Sequence, residues 1–187
     1  MDSKRHSEPA ERILKTAGEL FYTQGYTATG VNQIISEAGV ARASFYQHFP
    51  SKKDLAVAYL RRRHRIWFQW LRDHVERETK PTARLSALFN FLADWLPTSG
   101  YRGCAFLNMM SESPTLGDEI QAVIEQHKSE LRSYIRRLVA GLDVSPQARI
   151  ADAVLILFEG AIVESQVMRD SWPIEAAREG VRRLIGQ

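Results

Sequence analysis

Apolar side chains recur along this chain at intervals of three and four residues, and no stretch alternates as a half-buried strand would. Ile13, Ala17, Leu20 and Phe21 share one face of a first predicted helix. Ser7 is placed to cap its start, Glu8, Pro9 and Glu11 suit its first turn, and Gly25 ends it. Thr29 opens a short helix with apolar positions Val31, Ile34, Ile35 and Ala38, and Gly39 breaks it. Residues 41–49 form another short helix that stops at Pro50. Ser51 followed by Asp54 predicts a capping box, starting a long helix through Leu55, Ala58, Tyr59, Ile66, Trp67 and Trp70 to the region of Arg77.

The later helices are longer and more apolar. Residues 85–96 are bounded by Pro97 and the turn-like Thr98, Ser99 and Gly100, and a short segment over 104–110 precedes the punctuation of Ser113 and Pro114. Residues 116–141 follow. Ser145 and Pro146 then read as a cap and proline start for 147–169, and Trp172 with Pro173 interrupts before a last helix over 174–185. The pattern predicts an all-α chain of about nine helices. A three-helix domain is expected over residues 1–54, with a larger helical domain over 55–187.

Composition narrows the class. With 187 residues, 44% hydrophobic and 25% charged, the chain is neither a disordered tail nor a small disulfide scaffold, and its single cysteine, Cys104, has no partner for an internal disulfide. Its longest apolar run, 153–158, is far below the roughly 20 residues that cross a bilayer. Lys4 and Arg5 are followed by no apolar stretch, so no secretory signal is expected and the protein is expected in the cytoplasm, without a membrane partner. The net charge of +3 is small but uneven: residues 1–65 carry +5 and the remainder −2. A basic first third suits a polyanion, and equally a solvated basic face.

Residues 29–49 concentrate the chemistry. Two short helices joined by a turn containing glycine fit a helix-turn-helix, whose second helix enters the major groove of DNA while the first braces it. Val40 and Phe45 suit inward packing, which leaves Arg42, Ala43, Ser44, Tyr46, Gln47 and His48 for the outside. Arginine grips guanine, glutamine reads adenine, and an alanine methyl meets that of thymine. Tyr46, His48 and Lys52 suit phosphates, which set register rather than sequence. An ordinary amphipathic pair of helices would carry the same glycine turn.

The order Thr16-Ala17-Gly18-Glu19-Leu20-Phe21, Gly25-Tyr26-Thr27-Ala28-Thr29, Ala38-Gly39-Val40 and Ser44-Phe45-Tyr46-Gln47-His48-Phe49-Pro50-Ser51-Lys52-Lys53-Asp54-Leu55 resembles the TetR/AcrR family of bacterial transcriptional repressors over residues 8–60. The departure is Phe45, where the family carries leucine or isoleucine. The resemblance implies a phosphate at Thr29 and Gly30, and DNA at Arg42, Ala43, Ser44, Tyr46, Gln47, His48 and Lys52. It also implies a homodimer on a palindromic double-stranded operator, released by a small-molecule inducer bound in the C-terminal domain. Gly103 and Cys104 ahead of an apolar helix resemble a subgroup that responds to electrophiles or oxidants through a cysteine.

Three features of the C-terminal part bear on those implications. Residues 150–163 are apolar on more than one face, so burial on several sides is required. Val154, Leu155, Phe158, Ala161 and Ile162, with Val181 and Leu184 of the last helix, are candidates for a dimer interface and equally for the core, and Gly160 and Ala161 permit a close helix approach. Trp67, Trp70, Phe91, Trp95, Phe106, Met109 and Met110, with Phe89, could be core or could line an apolar pocket, with Cys104, Asn108 and Glu112 as its polar groups. Cys104 itself reads as a small buried hydrophobe or as a thiolate favoured by Arg102 and a helix start.

No enzyme signature is present: GxxxxGK[ST], HExxH, GxSxG and CxxC are all missing. The five histidines do not share metal-ligand spacing, and His74 beside Asp73 reads as a solvated helix face, so neither metal nor cofactor is expected. The competing class is a small-molecule-binding helical protein that does not bind DNA.

Overall fold

The computed structural model describes residues 3–112 and 117–186, with side chains from residue 8 onward. Among them are nine helices and no strand: α1 Ser3–Thr23, α2 Val31–Ala38, α3 Arg42–His48, α4 Lys52–Val75, α5 Pro81–Thr98, α6 Ala105–Glu112, α7 Asp118–Ala140, α8 Gln147–Met168 and α9 Trp172–Leu184. No helix of the described residues is long and apolar enough to cross a membrane.

Helix ends follow local chemistry, with some departures from the sequence pattern. Ser51 and Asp54 form the expected cap of α4, the Asp54 amide donating to Ser51 Oγ at 3.1 Å. The backbone of α1 is already helical at Ser3, so Ser7 lies inside the helix instead of capping it. Helix α5 starts at Pro81, where a missing N–H costs nothing, and passes through Pro97 to Thr98. As the last residue but one of the helix that proline removes a single bond, and the Thr98 hydroxyl donates to the Trp95 carbonyl at 2.8 Å. Pro146, not Ser145, is the N-cap of α8, and Trp172 and Pro173 open α9 rather than separating it from a later start. Ser113, Pro114 and Leu116 lie outside the described residues.

The chain forms two compact units. The first comprises described residues up to His64 together with Ala105–Glu125; the second comprises Arg65–Cys104 and Gln126 onward. The first is built around Ile13, Ala17, Leu20, Phe21, Ile34, Phe45, Leu55, Tyr59 and Leu60, joined by Phe106 and Met109 of α6 and Ile120 of α7. In the second, Leu88, Phe89, Leu92, Leu131, Ile135, Val154, Phe158, Ile174 and Val181 are buried. Helices α8 and α9 approach closely at Gly180, where a Cβ would stand 3.3 Å from Leu157, while Gly160 has nothing of its own chain within 4 Å. His74 is no solvated side chain: its Nδ1 lies 2.9 Å from the Trp70 carbonyl and its Nε2 3.0 Å from Asp94 of α5.

Candidate nucleic-acid interface and ligand domain

The turn between α2 and α3 is fixed by Gly39, whose φ of +61° is a left-handed conformation that side chains disfavour. From it the Gly39 amide donates to the Ser36 carbonyl and the Val40 amide to the Ile35 carbonyl, both at 3.2 Å, closing α2 so that α3 starts two residues later. Phe45 is fully buried and holds α3 against the unit's core, with Tyr46 edge-on to it at 5.2 Å between ring centroids. Opposite Phe45, Arg42, Ala43, Tyr46 and Gln47 are exposed along one face of α3, and Ser44 and His48 flank it half-buried. Arg42 donates to Asn32 Oδ1 of α2 at 3.3 Å and lies over the Tyr46 ring at 5.8 Å.

Two expected phosphate ligands stand differently. Thr29 is fully buried and its hydroxyl donates to the Gly25 carbonyl at 2.7 Å, so its side chain is used within the loop and does not reach outward. Gly30 is exposed as the N-cap of α2 and leaves that helix start uncovered by any side chain. Lys52 is half-buried, its ammonium 4.4 Å from the centroid of the Tyr26 ring and 3.5 Å from the Thr27 carbonyl oxygen. Burial pushes its pKa down and Glu112 acts against that. Next to it, Lys53 pairs with Glu119 of α7 at 2.9 Å, which raises the lysine's pKa and lowers the glutamate's.

Glu112, expected beside a pocket, binds the loop after α1 instead: its carboxylate accepts the Thr27 amide at 2.8 Å. Nothing in the spacing signals a contact across 85 residues.

The residues expected to line a pocket divide between the two units. Phe106, Asn108, Met109 and Met110 belong to the first, where Phe106 and Met109 are buried and Met110 is 43% exposed. Trp67, Trp70, Phe91, Trp95 and Cys104 belong to the second. There Trp67 stands edge-on to Phe91, Trp95 and His127 at 5.1, 5.7 and 5.2 Å, and Phe91 stacks on Trp95 at 5.7 Å. Trp95 Nε1 and Ser165 Oγ are buried without a hydrogen-bond partner among the described residues. Trp70 also lines an open hollow of about 540 Å³ with Arg65, Ile66, Gln69 and Asp73.

Cys104 is buried, and the Lys128 ammonium of α7 reaches its sulfur at 3.6 Å. Lys128 is itself held by Glu159 of α8 at 2.7 Å. Neither residue stands out in the sequence pattern, since both look like ordinary positions on charged helix faces.

Of the candidate dimer residues, Val154, Phe158, Ala161, Ile162 and Val181 are buried within their own chain, Leu155 is half-buried and Leu184 is exposed. A helix apolar all round does not declare which face its own core takes. The stripe left in solvent is Ile156, Gly160, Val163 and Val167, with Ile156 69% and Val167 68% exposed.

The description of bacterial regulatory proteins of the tetR family matches residues 13–59, and that of the tetracyclin repressor-like C-terminal domain matches residues 81–181. The HTH-type transcriptional regulator LmrA of Bacillus subtilis is 28% identical over 173 residues, covering 90% of this chain and 92% of its own. The HTH-type transcriptional repressor NemR of Escherichia coli is 22% identical over 99% of this chain and 98% of its own. A TetR-family regulator from Streptomyces coelicolor has a crystal structure that matches with a TM-score of 0.88 at 27% identity over 97% of each chain. With one family domain spanning the helix-turn-helix and the other more than half of the chain, the protein belongs to the TetR family and is a DNA-binding transcriptional regulator.

Proposed function

We propose that this regulator is a cytoplasmic repressor that binds a palindromic operator as a homodimer and leaves it when a small molecule is bound. The observation that carries the reading is the exposed face of α3, where Arg42, Ala43, Tyr46 and Gln47 stand together in solvent. Such a set combines base-edge chemistry with phosphate contacts. Gly30 offers the open start of α2 to a phosphate, and Ser44, His48 and Lys52 border the same face. Thr29 acts through its place in the loop. Residues 1–54 hold every group assigned to DNA, and the response to ligand is assigned to 55–187.

The dimer is assigned to the solvent-facing stripe of α8 (Ile156, Gly160, Val163 and Val167) with Leu184 of α9. Its spacing of four, three and four residues makes one continuous line on the helix, and Gly160 allows a partner helix to approach closely. A two-fold interface of that kind suits a two-fold operator.

The inducer is assigned to the aromatic cluster of the second unit. Apolar and aromatic side chains around a buried donor with no partner among the described residues, Trp95 Nε1, favour an aromatic or apolar molecule carrying a hydrogen-bond acceptor. Whatever its affinity, it releases DNA only by preferring the arrangement that does not bind DNA. The test is a mobility shift on duplex from the region upstream of the gene, repeated with candidate aromatic carbonyl compounds while tryptophan fluorescence is followed. Binding to no duplex would remove the reading. A quench of fluorescence without release of DNA would remove the inducer from it.

A second reading is favoured by one contact: the Lys128 ammonium beside Cys104 Sγ makes that thiol a candidate for reaction with electrophiles or oxidants. Alkylation of the native protein followed by DNA binding, with Cys104→Ser as control, tests it. A thiol that reacts only after denaturant is added is a packing residue.

A further inference from the structure

Glu112 is the last described residue of α6. Its stabilisation comes from the α1–α2 loop, within the same compact unit. The carboxylate accepts the Thr27 amide at 2.8 Å and sits against Gly25, where a Cβ would come within 2.7 Å of Oε1 and 2.9 Å of Cδ and Oε2. Gly25 also has a φ of +102°, a backbone conformation that reserves the position for glycine, and any side chain there would have to displace the carboxylate. From the other side, the Lys52 ammonium stands 3.5 Å from the Thr27 carbonyl oxygen and over the Tyr26 ring.

The loop is therefore gripped at both ends of one residue, its N–H by a carboxylate and its carbonyl by an ammonium. It runs directly into Thr29, whose buried hydroxyl is tied back to Gly25, and Gly30, which caps α2. Glu112 lies in the segment matched by the C-terminal family domain, and every group it touches lies in the N-terminal match.

We infer that Glu112 is a positioning residue for operator recognition. Seated in the space left by Gly25, it accepts the Thr27 N–H and fixes the loop that sets how α2 and α3 are presented to DNA. The inference rests on the reading that α3 enters the groove. A base-reading helix tolerates little error in its attitude, whereas phosphate attraction, which carries non-specific binding, tolerates a good deal.

The experiment compares Glu112→Ala, Glu112→Gln and Arg42→Ala on two duplexes of equal length, one selected from random sequence by the native protein and one scrambled. Glu112→Ala is expected to weaken the selected duplex about tenfold while the scrambled one stays within about twofold, so the ratio collapses. Glu112→Gln keeps an amide oxygen for the Thr27 N–H and is expected to restore most of that ratio. Hydrogen exchange at the Thr27 amide should quicken in the alanine variant and slow again in the glutamine variant. A variant that merely unfolds loses both duplexes in proportion, and circular dichroism melting identifies it. The inference is overturned if Glu112→Ala keeps the native ratio, if it loses both duplexes equally while folded, or if Glu112→Gln is no better than alanine. An Arg42→Ala protein with an unchanged ratio would instead remove α3 from the groove, whatever Glu112 does.

Discussion

Arg42 is held in the free protein by Asn32 Oδ1 and the Tyr46 ring, so a contact with DNA would exchange one set of partners for another. If it grips a guanine, Arg42→Ala costs about 1–3 kcal/mol on the operator and relaxes preference at one base position. Competition binding against single-base variants of the operator reads both effects, and full affinity with unchanged preference would move Arg42 away from the bases. Tyr134 allows a stability prediction in the opposite direction. Its phenol is buried with no hydrogen-bond partner among the described residues, and burial pushes its pKa up to about 12. A hydroxyl stripped of water without replacement is a cost, so Tyr134→Phe should stabilise the protein by about 1 kcal/mol, as urea unfolding would measure. A loss of that size would mean that the hydroxyl has a partner in solution.

At the scale of elements, α8 carries two apolar faces with different consequences. Phe158 is fully buried, so Phe158→Ala should cost about 3–5 kcal/mol of folding stability. Ile156 and Val163 are exposed, so Ile156→Asp and Val163→Asp should leave the melting of the isolated chain nearly intact while weakening a dimer by on the order of 2 kcal/mol each. Sedimentation against concentration separates these outcomes; aspartate variants that remain dimeric would put the interface elsewhere. Helices α7 and α8 are also joined by charge. Arg132 and Arg136 hold Asp152 at 2.9 and 3.2 Å and depress its pKa from 3.8 to about 2. A depressed carboxylate stabilises the folded state above its ordinary pKa and ceases to do so as pH falls through the folded value. Asp152→Asn should therefore flatten the acid limb of stability between pH 3.8 and about 2 and leave its dependence at neutral pH unchanged. An identical acid limb in both proteins would assign it to other carboxylates.

Whether a feature is legible in the amino-acid sequence depends on how far its partners lie along the chain. The capping box of Ser51 and Asp54, the glycine turn at Gly39 and the inward Phe45 are local signals, written within a few residues of the bonds they make, and the folded chain has all three. The direction of the Thr29 hydroxyl is not legible, because whether a threonine beside a helix start faces outward depends on what its loop packs against. Nor is the choice of face on α8, where Val154 and Ile156 are equally apolar and only the neighbouring helices decide which is covered. The Glu112 contact lies beyond any periodicity.

On the scale of the whole molecule, operator binding by a basic N-terminal region should be strongly dependent on salt, log affinity falling by about 0.9 per neutralised phosphate for each tenfold rise in salt. If Lys52 meets a phosphate, Lys52→Ala should reduce that slope by about 0.9 for each subunit in contact. An affinity indifferent to salt would leave little room for phosphate contacts.

The seat of Glu112 against Gly25 also bears on modularity. Helix-turn-helix regulators invite recombination: a recognition segment from one protein is joined to the sensing body of another, with the seam placed where the two sequence domains meet. Here a seam between residues 60 and 80 divides the carboxylate from its cradle. A foreign body with a shorter side chain at the position of Glu112 would leave Gly25 facing a gap. A foreign recognition segment with a larger residue at Gly25 would meet a strained backbone conformation and push the carboxylate from its seat. Chimeras of this regulator should therefore keep full operator selectivity only when Gly25, Thr27 and Glu112 are inherited from the same parent.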